Sequence, residues 1–396
     1  MKNMVRTLLV GIVVSAWFTL QAQTFSVLHT FTGGRDGSLP EGVLLEDSAG
    51  NLYSTTVNGG NNGCINAGCG TIFRLSATGE ETVLHRFVIS DGALPSAGLT
   101  RDANGNFYGT TAEGGGGACL HGCGEVFKLS ASGKLSVLYR FTGGKDGANP
   151  YSKLVVDSAG NVYGTTYAGG TRTPCGPVIG CGTAFKVSAT GSFQLLHLFS
   201  GGADGANPVS GFIRDNSGNL YGTASDGGSH AHGTVFKIQA NGNFTVLYSF
   251  LGADSGDGAV PYGALVRDSS GNLYGTTMVG GLNNDGTVFK LDPTGSETVL
   301  YSFGSQNGDG QEPWAGLVMD ASGNFYGTTA FGGSSSNGTV FKLDSLGNET
   351  VLHSFNVGTD GSVPLTPLIM DKTGALYGTA SEGGTAQVGT VFKLVP

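Results

Sequence analysis

Seven times the chain writes a variant of one line: a strand ending in Phe, an Asp-Gly turn, a strand ending in Asp, then Gly-Asn-x-Tyr-Gly-Thr and Gly-Thr-Val-Phe-Lys-Leu. The tyrosine of this unit recurs at Tyr53, Tyr108, Tyr163, Tyr221, Tyr274, Tyr326 and Tyr377, a mean period of 54 residues. A self-similar period of that length, built of short strands, restricts the chain to repeat architectures. The 71 glycines, which in an aperiodic chain would signal low complexity, fall at fixed places beside Asn, Asp or Thr. They are turn chemistry.

One unit predicts one blade. In blade five, Pro261 to Asp268 is a strand ending in Asp, and Asn272 to Thr277 returns antiparallel after a tight turn. Gly286 to Leu291 and Glu297 to Phe303 supply two more strands. Four short strands joined by turns form the blade of a β-propeller, and a β-solenoid coil is much shorter than this period. The chain is therefore expected to be all-β, a seven-bladed propeller of four-stranded antiparallel blades. Fourteen of the 22 phenylalanines stand in two repeat columns, Phe31 to Phe355 and Phe73 to Phe392, and are assigned to the core between blades. The chain opens with a lone outermost-type strand, Ser26 to Phe31, and ends on a third-type strand, Gly389 to Leu394, that lacks its partner. Pairing the two closes the ring and removes two sheet edges.

Residues 1–22 read as a signal peptide: Lys2 and Arg6, an apolar run from Leu8 to Leu20, then Leu20-Gln21-Ala22 before Gln23. The run is too short to span a membrane comfortably, and no second one follows. A secreted or extracytoplasmic protein is expected, with the propeller over 23–396 and no membrane span in the mature chain. The net charge is −9, or −11 once Lys2 and Arg6 are removed, and no basic stripe exists, which excludes nucleic acid as a partner class. A monomer is expected.

The lines GNLYGTT, GTVFKL and ETVLYSF, in this order and period, resemble the GloVer tandem-repeat proteins, exported bacterial proteins of the "choice-of-anchor" kind. The resemblance covers essentially the whole mature chain and implies a secreted or surface role, without an activity or a catalytic residue. Members end in various surface-sorting tails. This chain stops at Pro396 directly after its last strand, so release is expected in place of covalent anchoring.

A residue present in all seven units is architectural; one that breaks the symmetry on the loop face carries more functional weight. The Asp-Gly turns supply Asp36, Asp91, Asp146, Asp204, Asp257, Asp309 and Asp360. Turn capping is the plain reading. The alternative is an acidic ring able to hold Ca²⁺ or another divalent cation. Cys64/Cys69, Cys119/Cys123 and Cys175/Cys181 fall in the elongated loops before the third strand of the first three blades and read as local disulfides. Zinc is the runner-up, with no fixed histidine to complete it. His29, His85, His197 and His353 share a column with Tyr139, Tyr248 and Tyr301, so that position has no need of imidazole chemistry. His230 and His232, with Asp226 nearby, are a candidate metal site, weighed against ordinary loop filling.

The residue after each first-strand proline varies: Glu41, Ser96, Tyr151, Val209, Tyr262, Trp314 and Leu365. Tyr167 and Phe331 sit at second-strand exits on the same rim. Aromatic faces beside carboxylates suit sugar rings, so Trp314, Tyr262, Tyr151, Tyr167, Phe331 and Glu41 are the candidate ligand-binding set. Irregular packing at the channel mouth explains them equally well. The expected function is a binding or interaction scaffold for carbohydrate or a cell-surface polymer. The rival is a metal-assisted lyase or hydrolase at the channel mouth, and a purely structural surface component is a third reading. No Gly-x-Ser-x-Gly elbow, His-Glu-x-x-His or phosphate loop is present, no catalytic residue is assigned, and an enzyme is the less favoured class.

Overall fold

The computed structural model describes residues 23–396 apart from 61–62, 65–66, 172–173 and 177–179; the expected signal peptide, 1–22, lies outside them. Seven four-stranded antiparallel sheets follow one another along the chain as the blades of a β-propeller. Six are contiguous in sequence, the first running from Leu45 to Arg86 and the sixth from Val318 to Ser354. The seventh takes its inner three strands from Ile369–Met370, Leu376–Ala380 and Thr390–Val395 and its outermost from Thr24–Thr30. Thr24 pairs with Val395 and Thr30 with Thr390, so the ring closes as the two odd strands predicted.

Each hairpin between the first and second strands is organised by one aspartate. Asp102 accepts the backbone N–H groups of Asn104 and Asn106 at 2.9 Å, the Asn106 amide at 2.8 Å and the Tyr108 hydroxyl at 3.0 Å. These donors hold the carboxyl below its ordinary range despite its partial desolvation. The repeated tyrosine is thus a turn anchor, and burial together with the aspartate pushes Tyr108 up to about 12.

The core lies between the blades. Each outermost-strand phenylalanine meets the third-strand phenylalanine of the next blade edge to face, with centroids 5.0–5.2 Å apart and planes at 60–76°. Seven such pairs circle the molecule, and Phe31–Phe73 is the one that joins the two ends of the chain's circuit. Full burial of each ring contributes on the order of 2–3 kcal/mol.

A second seam runs nearer the loop face. The residue before each first-strand proline (Leu39, Leu94, Asn149, Asn207, Val260, Glu312, Val363) holds φ of 52–58°, the left-handed region. Its N–H donates to the previous blade and its carbonyl accepts from its own blade's second-strand exit; for Val260 the partners are His232 and Met278, each at 3.0 Å. The proline that follows packs on a glycine of the previous blade: a Cβ on Gly286, whose φ is 95°, would fall 2.5 Å from Pro313 Cδ.

Candidate functional site

Because the innermost strands lean on the axis, the variable residues after their prolines converge on one central cavity of about 830 Å³. Five of the six candidate ligand-binding residues, Glu41, Tyr151, Tyr167, Tyr262 and Trp314, line it. Phe331 does not: it is 39% exposed and its backbone pairs with Gln311 in a short ladder beside the mouth.

The aromatic groups form an arc over blades three to six. Tyr151 and Tyr167 meet with centroids 5.9 Å apart at 70°, and Tyr262 meets Trp314 at 5.2 Å and 41°. The Trp314 indole N–H donates to Glu312 Oε2 at 3.2 Å, which fixes the ring from behind. Burial, with the Asp226 carboxylate in support, raises the Tyr167 and Tyr262 phenols, so both stay protonated donors at neutral pH. Across the mouth, burial and then the Glu382 carboxylate push Glu41 up to about 7. Glu41 therefore presents both carboxyl and carboxylate near neutrality.

A second cavity of about 430 Å³ shares Tyr151 and Tyr167 with the first and is walled by the loop of the second blade, with Glu113, Cys119 and His121. Here His121 Nδ1 stands 3.5 Å from Glu113 Oε2, and Leu120 is 93% exposed. The loop is held by the Cys119–Cys123 disulfide; Cys64–Cys69 and Cys175–Cys181 are bonded likewise, and no described cysteine is free. The second cysteine of each pair also supplies the carbonyl for the next blade's seam: Cys69 accepts from Leu94, Cys123 from Asn149 and Cys181 from Asn207, at 2.8–3.1 Å. The disulfides thus brace the longest loops against the seam that carries the channel wall.

The Asp-Gly carboxylates serve their own turns. Asp146 accepts the Thr142 N–H at 2.8 Å, the Thr142 hydroxyl at 2.5 Å and the Tyr139 hydroxyl at 3.0 Å. Asp36, Asp91, Asp204, Asp257, Asp309 and Asp360 cap in the same manner. The shared His/Tyr column is their second partner: His85, His197, Tyr248, Tyr301 and His353 reach Asp91, Asp204, Asp257, Asp309 and Asp360 at 2.8–3.2 Å. His29 alone has no partner for Nε2 among the described residues. At the blade-four loop, His230 Nδ1 contacts Ser229 Oγ at 3.0 Å and Asp226 accepts from Ser225 at 2.8 Å. No three or more His, Cys, Asp or Glu side chains come together as a metal cluster among the described residues.

Lys153, outside the candidate set, also lines the central cavity. The signal was there: its repeat column reads Val43, Gly98, Lys153, Gly211, Ala264, Gly316 and Pro367, with one charge among seven positions.

Comparison with known proteins agrees with the repeat and with the fold. The family described as Gloeobacter/Verrucomicrobia repeat matches residues 11–178, 66–268 and 252–396. No curated protein matches. Among solved structures, the extracellular domain of a one-component system from B. thetaiotaomicron aligns over 93% of this chain and 42% of its own, at 16% identity and a TM-score of 0.55. A gluconolactonase from Xanthomonas campestris aligns over 77% and 87%, at 15% identity and a TM-score of 0.43. The former likeness is one of fold; the latter is too loose to carry an argument.

Proposed function

We propose, on the premise that the chain belongs to the Gloeobacter/Verrucomicrobia repeat family, that it is an exported binding protein whose loop face takes a carbohydrate or similar cell-surface polymer. One observation carries the reading: Tyr151, Tyr167, Tyr262 and Trp314, scattered over the sequence, converge on one open cavity beside Glu41. Aromatic faces stack on sugar C–H faces, while phenols and a carboxyl group near its pKa both donate to and accept from hydroxyls. The second cavity, joined through Tyr151 and Tyr167, gives a chain-like ligand a path across the face. Three disulfides fit an oxidising compartment, and no helix among the described residues is long and apolar enough to cross a membrane.

A glycan array with the wild type, Trp314→Ala and Tyr262→Ala tests the reading. Each variant is expected to weaken binding at least about tenfold, or about 1.4 kcal/mol, with thermal stability unchanged. Binding that both variants retain removes this site. Binding is also expected to survive a chelator, because the Asp-Gly carboxylates already accept bonds from their own turns.

A further inference from the structure

Two positions beyond the mouth column, the channel wall is built of small or apolar residues except at Lys153. Lys153 follows Tyr151 by two residues and lines the same cavity, just ahead of the innermost strand of its blade, Val155–Val156. The next blade makes room for it. Gly211 stands beside Lys153, and a Cβ there would fall 2.6 Å from the Lys153 carbonyl and 3.3 Å from its Cβ.

Lys153 is half-buried on the cavity wall, and desolvation pushes the pKa of its ammonium down. Five other lysines of the chain sit differently. Lys128, Lys186, Lys237, Lys342 and Lys393 lie over tyrosine rings at 5.1–5.9 Å, on third strands away from the channel. An anion is the usual partner of an isolated ammonium. Here the approach passes Glu41 and Glu382, Glu113 beside Tyr151, and Asp226 beside Tyr262, in a chain of net charge −9. That field disfavours anions and leaves neutral electrophiles unhindered.

We propose that Lys153 is a nucleophilic amine that captures small aldehydes reversibly as an imine on the channel wall. The Nζ lone pair forms a bond to the carbonyl carbon while the C=O π pair moves to oxygen. A proton passes from nitrogen to that oxygen, giving a carbinolamine. The carbinolamine takes up a second proton and loses water, which leaves the protonated imine; water reverses each step. No oxidant or reductant takes part. This activity shares the cavity with the carbohydrate reading but not its ligand, so either can fail alone.

The test uses the disulfide-intact protein, glycolaldehyde as the probe and picoline borane, a neutral reductant, to trap the imine as a secondary amine. Peptide mass spectrometry reads the rate at each lysine. At pH 7, Lys153 is expected to react several-fold faster than Lys128, Lys237 and Lys342, since a lowered pKa leaves more of the amine free. The ratio is expected to shrink towards pH 10, where all amines are unprotonated. Lys153→Met should remove the fast adduct and leave the melting temperature unchanged. Labelling of Lys153 at or below the rate of the others overturns the proposal. So does a rate advantage that stays constant with pH, which would report access alone, or suppression of the adduct by acetate, which would make Lys153 an anion site.

Discussion

A side chain in the left-handed region before a proline is strained, and this chain accepts that strain once per blade. The reason lies in the two hydrogen bonds each such residue makes, one to each side of the blade seam. Asn149 and Asn207 suit the position best, because asparagine tolerates positive φ and its side chain adds a bond to the previous blade. Asn149 Nδ2 reaches the Ala112 carbonyl and Asn207 Nδ2 the Tyr167 carbonyl, each at 2.9 Å. Val260 and Val363 are β-branched and add none, so Val260→Asn and Val363→Asn should each stabilise the fold by about 1 kcal/mol. Chemical denaturation reads this as a raised midpoint at constant slope; an unchanged or lowered midpoint would mean the valine side chains matter more to packing than their backbone strain.

At the scale of the element, the third strand does more than pair with its neighbours. Its leading glycine receives the next blade's proline, and the phenylalanine three residues later receives the previous blade's outermost-strand ring. Gly286→Ala would put a methyl group against Pro313 Cδ and the Thr277 carbonyl. Gly242→Ala, with φ of 92° and open space around it, pays only for the backbone conformation. The former is expected to cost more than about 3 kcal/mol and the latter about 1–2 kcal/mol. Equal losses in the two variants would show that the glycine–proline contact gives way easily and that the seam rests on its hydrogen bonds.

For the whole molecule, the distribution of perturbed carboxyls sets a pH optimum for stability. Burial raises Glu41, Glu81, Glu125, Glu297 and Glu349 to about 7. A carboxyl with a raised folded pKa binds its proton more tightly in the native state, so stability falls as pH rises from about 4.5 to about 7. The hairpin aspartates Asp47, Asp102, Asp157, Asp215, Asp268, Asp320 and Asp371 are lowered by their donors, so the stability they add is lost below about pH 4. His29, His85 and His353, lowered by burial, act against the glutamates as pH rises towards 6.5, but they are fewer. Melting temperature should therefore peak between about pH 4 and 5.5 and decline towards pH 8; a peak at or above pH 7 would contradict the balance. Glu125 is informative here, as it replaces a threonine found in the other six units and is fully buried against Arg140, 2.8 Å away.

Much of this architecture is written locally. The number of blades, their four strands, the hairpin turns, the disulfides and the closing strand pair depend on short-range patterns repeated with a fixed period, and periodicity survives in one dimension. What the repeat cannot express is convergence. Tyr151, Tyr262 and Trp314 are separated by more than 50 residues at each step, and only the closed ring places them on one wall with Tyr167 while leaving Phe331 outside it. The pairing of the Asp-Gly carboxylates with the His/Tyr column ties each outermost strand to the turn that leaves it, a contact that depends on side-chain direction in the folded sheet. Lys153 is visible in the sequence as a symmetry break, but its desolvation is not, because that is summed over neighbours that the chain brings from other blades.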